Sequence, residues 1–131
     1  MSAEVLVSDP LDPDPHVVAV AAQGLIAGKL VILPTETVYG LACRADDDAA
    51  LRRLIEAKGR ASDKALPIVL PHPAMLPQVA RVTVEAQQLA AAFMPGPLTL
   101  VLPRLPHVST LVTGGRETVG VRVPDLPFTR A

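Results

Sequence analysis

One cysteine, Cys43, stands in the 131 residues. That excludes an internal disulfide framework and a cysteine-based zinc site. No histidine lies near it in sequence, so it reads as a small core residue rather than a nucleophile. The three histidines, His16, His72 and His107, fall at no metal-ligand spacing, and no H-E-x-x-H or paired-carboxylate motif is present. No apolar run reaches bilayer length; "VVAVAA" at 17–22 is far too short. The N-terminus lacks the basic and apolar regions of a secretory leader, which points to a cytoplasmic protein with no membrane partner. A net charge of −1 argues against a large general nucleic-acid surface but leaves room for a local basic cluster. There is no G-x-G-x-x-G. "GRETVGVR" from Gly115 has glycines at P-loop spacing but carries Val121 where that loop needs lysine. Repeats, heptads and low-complexity tails are absent as well.

Half of the chain is apolar and 19% is charged, the balance of a globular domain, and the length suits one domain, residues 1–131. Fourteen prolines scattered among apolar runs predict short elements joined by stiff turns. A helix should begin with Asp14 as N-cap and Pro15 in its first turn and finish near Gly28. "LVIL" at 30–33 and "PIVL" at 67–70 read as short buried strands. Residues 47–58 form a second helix that Gly59 stops, and 83–94 a third, ended by "PGP". Strands are expected at 98–102, 108–112 and 118–123, with a turn at 113–115, and "PFTRA" begins a helix. Interleaved strands and helices place the chain in the α/β (α+β) class.

Polar chemistry gathers directly behind the first strand. In "LPTETVYGLACRA", residues 33–45, Thr35, Glu36, Thr37 and Tyr39 fall within five residues. On the second helix, Leu51, Leu54 and Ile55 make an apolar stripe onto which Lys58 also falls. Such a lysine snorkels past the rim, points into a cavity or complements the helix dipole. Arg60 and Lys64 follow it. On the strand 118–123, Val119, Val121 and Val123 share one face, and Thr118, Gly120 and Arg122 the other. An arginine there needs water, a carboxylate or an anionic ligand, and Gly120 leaves room for one. Thr99 is the polar position of strand 98–102. His72 lies at a strand's end, where α/β sites collect ligands.

Four segments, "PTETVYGL" at 34–41, "KGR" at 58–60, "PGPLTLVL" at 95–102 and "VGVRVP" at 119–124, together resemble the YrdC-like L-threonylcarbamoyladenylate synthases, in the family's order. The resemblance runs from about residue 16 to residue 124. It implies a twisted mixed sheet flanked by helices around a positively lined cavity. It also implies a nucleotidyltransferase that condenses L-threonine, bicarbonate and ATP, with Mg²⁺ on the phosphates, into threonylcarbamoyl-AMP and pyrophosphate for tRNA modification. Lys58 and Arg60 would then be catalytic and, with Lys64 and Arg122, hold the phosphates. Thr35, Thr37, Tyr39, His72, Thr99 and Arg122 would hold threonine and bicarbonate.

Family members continue past the "RVP" strand to an S-x-N segment, which this sequence does not contain, and Leu126 stands where a histidine is common. The expectation is therefore a truncated chain with an open cavity or exposed sheet edge, or one completed by pairing as a homodimer. Two other readings stay open: a non-catalytic module for tRNA or double-stranded RNA, and a carbamoyladenylate-handling domain of a carbamoyltransferase.

Overall fold

A computed structural model describes residues 3–36, 38–59 and 64–131. Its first helix, α1 (Pro15–Ile26), starts where the sequence predicts. The Asp14 carboxylate accepts the His16 N–H at 2.9 Å, and Pro15 brings a preset φ to a position that needs no amide bond. The chain turns away at Gly28, whose φ of +81° favours glycine; a Cβ there would also lie 2.8 Å from Asp47 Oδ2.

β1 (Val31–Leu33) and β2 (Gly40–Ala42) pair antiparallel as a two-stranded ribbon, with Ile32 opposite Leu41. Residues 31–33 of the expected stretch do form a strand, but not a buried one. Ile32 is 66% exposed, because among the described residues the ribbon has no further strand or packed layer on that side.

α2 (Asp48–Ala57) has Asp47 as N-cap, which accepts the Ala50 N–H at 3.1 Å. Leu51, Leu54 and Ile55 are buried, as their spacing requires. The helix stops at Lys58, its C-cap, before Gly59 with φ +60°.

β3 (Ile68–Val69), a 3₁₀ helix (Pro73–Gln78), α3 (Val84–Phe93) and β4 (Thr99–Pro103) follow. The stretch 108–112 is a correction. It is not a strand; α4 (Thr110–Thr113) lies there instead. Its β-branched residues suggest extension, but the Ser109 hydroxyl caps the Leu111 N–H at 3.2 Å and Gly114 closes the turn left-handed at φ 63°. Two cap signals outweigh a weak local propensity.

β5 (Thr118–Arg122) is the central strand of a mixed sheet ordered β3-β5-β4, parallel to β3 and antiparallel to β4. Its inner face holds Val119 and Val121, continued by Val123, all buried against Ile68, Leu100, Leu102 and the α2 stripe. Each such valine contributes about 1.5–3 kcal/mol by leaving water. α5 (Pro127–Arg130) ends the chain and ties three segments together. The Phe128 N–H donates to the Pro10 carbonyl (3.0 Å), the Thr129 hydroxyl to that of Pro34, and Arg130 Nε to that of Pro71 (2.9 Å).

Candidate active site

The outer face of the mixed sheet carries the candidate site. Alternation along β5 that buries Val119 and Val121 turns Thr118, Gly120 and Arg122 the other way. The antiparallel register sets Thr99 of β4 opposite Arg122, and Val101 opposite Gly120. These residues, with Ala65, Leu66, Pro67 and Arg116, line a cavity of about 320 Å³. That is the lower end of the range for small-molecule sites. Gly120 forms part of its floor: a Cβ there would come 3.3 Å from Thr99 Cγ2 and take up cavity space.

The lining is cationic. Arg116 and Arg122 both belong to it, and no Asp or Glu is among the described residues that line it; Asp63 lies outside the described residues. Arg116 Nη1 donates to the Thr113 carbonyl at 3.4 Å, which holds the side chain toward the end of α4. Arg122 faces Glu36 across 3.6 Å, a distance for an ion pair rather than a hydrogen bond. Glu36 fixes its other oxygen on the Asp125 N–H at 2.5 Å. This one side chain therefore joins the loop after β1 to the end of β5, and the Thr129–Pro34 contact reinforces the join.

Of the residues expected to bind ligand, Thr99 and Arg122 meet in the cavity lining. Thr35 lies in the loop that Glu36 anchors. It closes a turn on Val38: its hydroxyl donates to the Val38 carbonyl and accepts the Val38 N–H at 3.1 Å. Tyr39 is 75% exposed beside β2. His72 is exposed and caps the 3₁₀ helix, with Nδ1 accepting the Ala74 N–H at 3.1 Å. Lys58, the C-cap of α2, is exposed, and so is Lys64, next to the cavity residue Ala65. Thr37 and Arg60 lie outside the described residues.

Sequence reasoning missed two members of this constellation. Arg116 was legible: extending the β5 alternation two residues back puts Arg116 in phase with Thr118, Gly120 and Arg122. Glu36 as the partner of Arg122 carried no local signal, because the contact spans the chain. Among the described residues, no three His, Cys, Asp or Glu side chains gather into a metal-holding group. No helix there is long and apolar enough to cross a membrane.

The family model for the Sua5, YciO and YrdC proteins, described as "Telomere recombination", matches residues 23–131. A curated threonylcarbamoyl-AMP synthase of Pyrococcus abyssi is 47% identical over 108 residues, covering 82% of this chain and 32% of its own length. Its Bacillus subtilis counterpart is 41% identical over 130 residues, covering 95% of this chain and 37% of its own. The crystal structure of P. abyssi Sua5 complexed with L-threonine superimposes with a TM-score of 0.87 at 43% identity, over 90% of this chain and 35% of that one. The chain thus spans about a third of the length of these relatives.

Proposed function

Since the chain belongs to the Sua5/YciO/YrdC (YrdC-like) family, we propose that its cavity serves the synthesis of L-threonylcarbamoyl-AMP from L-threonine, bicarbonate and ATP, the product being destined for tRNA modification. The observation that carries this reading is the pair of arginines, Arg116 and Arg122, on a cavity with no carboxylate among its described lining residues. Such a site suits a substrate set in which every member is an anion or carries a carboxylate.

In this reading the neutral amine of threonine attacks the carbon of bicarbonate. A carbamate forms and water leaves. A carbamate oxygen then attacks the α-phosphorus of ATP, forming the mixed anhydride and releasing pyrophosphate. Arg122 grips an oxyanion with its planar fork, while Thr99 and the loop bearing Thr35, Thr37 and Tyr39, together with His72, orient threonine and bicarbonate. Lys58, Arg60 and Lys64 meet the triphosphate and offset the charge that grows on its oxygens. Catalysis is mostly orientation and charge stabilisation. The protein offers no carboxylate cage for Mg²⁺ among its described residues; in the proposal the ion arrives on the triphosphate as part of the substrate.

The test is pyrophosphate release from ATP by the purified chain, with each substrate omitted in turn and the product identified by mass spectrometry. Release that requires both L-threonine and bicarbonate is the expected result. Release that instead requires carbamoyl phosphate would move the chain to carbamoyl transfer, and no release by a folded chain would remove the activity from it.

A further inference from the structure

Two buried polar atoms sit close together without hydrogen-bond partners: Glu36 Oε1 and Arg122 Nε. Their side chains are only 18% and 29% exposed, and the ion pair joining them is open to 3.6 Å. Buried polar groups are nearly always satisfied, so this unfinished contact needs a reason. The carboxylate is not free to drift, because Asp125 N–H holds its Oε2 at 2.5 Å. The arginine is not free to leave either, since β5 is hydrogen-bonded on both sides. Glu36 thus offers Arg122 a fixed negative charge but no hydrogen bond. The guanidinium is oriented by attraction while its donors remain uncommitted to the carboxylate.

We propose that Glu36 is a positioning residue: it aims the Arg122 guanidinium at the cavity and holds the loop bearing Thr35 in register with it, so that one oxyanionic ligand meets both. A tight bidentate pair would hold Arg122 more firmly but would consume the N–H groups that a ligand carboxylate needs. The inference rests on the reading of Arg122 as the group that grips the threonine carboxylate.

Glu36→Gln separates charge from shape, for an amide oxygen still accepts the Asp125 N–H and the loop anchor survives. The experiment measures L-threonine-dependent pyrophosphate release for the wild type, Glu36→Gln, Arg122→Lys and the double variant. Arginine Nε–H spectra are recorded on the same ¹⁵N-labelled proteins. Glu36→Gln is expected to raise the KM for L-threonine by roughly tenfold, the weight of one charged contact, with a smaller effect on kcat. In the Arg122→Lys background the same change should add little, because both variants disable one device. The Arg122 Nε–H resonance, identified by its loss in Arg122→Lys, should shift in Glu36→Gln. An unchanged KM, full additivity or an unmoved resonance overturns the proposal. If the wild type releases no pyrophosphate, the functional reading fails separately. The spectrum alone then decides: a shifted resonance upholds the positioning role and an unmoved one removes it.

Discussion

Gly120 shows how much a single position decides. It stands in the middle of a strand, where glycine costs stability, and its missing side chain is what leaves the cavity floor open. Gly120→Val should therefore weaken ligand binding at least about tenfold by filling the space, while the 3.3 Å approach of its Cβ to Thr99 Cγ2 offsets the strand preference of valine and leaves the melting temperature little changed. Thermal melts beside calorimetric titrations would separate the two effects. Val121, directly next to it, behaves in the opposite way. It is fully buried on the inner face, so Val121→Ala should cost roughly 2–3 kcal/mol through lost burial and an imperfectly closed void. Denaturant unfolding reads that cost as a lower midpoint. At Cys43, burial pushes the thiol pKa up, the Asp47 carboxylate adds to the rise, and Arg53 opposes it. A raised pKa means less thiolate at a given pH, and thiolate is the reactive form. Alkylation by iodoacetamide should be slower than for a free thiol near neutral pH and accelerate as pH rises.

Elements were most legible where a cap and a period agreed. Asp14 with Pro15 marked the start of α1, and the leucine stripe between Asp47 and Gly59 marked α2, almost to the residue. Reading failed where the two conflicted: Val108, Thr110 and Val112 look like a strand, but Ser109 and Gly114 close a short helix around them. The strand 30–33 was legible as a strand but not in its burial, because exposure depends on which layers arrive from elsewhere in the chain. Caps should matter in proportion. Asp47→Ala removes the acceptor of the Ala50 N–H and should destabilise the fold by about 1 kcal/mol. In a urea melt the midpoint should fall while the slope holds, as it does when only stability changes.

At the scale of the whole molecule, long-range contacts assemble the site. Arg122 could be picked out from alternation alone, yet its carboxylate neighbour is anchored by a hydrogen bond spanning 89 positions, and no local pattern foretells that. The same holds for α5, whose three contacts draw Pro10, Pro34 and Pro71 toward one end of the chain. The split into a two-stranded ribbon and a three-stranded sheet is likewise a product of pairing, not of propensity. Of what the family resemblance implied, the mixed sheet with packed helices is found, while the cavity lies on that sheet's outer face, lined by strands and loops and with Arg116 added to it. The charge of the chain is confined in its effect. With a net charge of −1, the molecule should bind double-stranded RNA more weakly than about 10 µM at physiological salt. A mobility-shift titration checks this, and tight, salt-sensitive binding would instead favour an RNA-binding role.

The cavity over β5 and the segment from Lys58 to Lys64 are expected to act on one set of substrates. Calorimetric titration of the folded chain with ATP and Mg²⁺, with and without L-threonine and bicarbonate, tests it most directly. The same titrations are run on Arg122→Ala and on Lys58→Ala with Arg60→Ala. Threonine should strengthen ATP binding, and both variants should lose the enhancement. ATP binding indifferent to threonine, or an enhancement that survives in Arg122→Ala, would contradict that expectation.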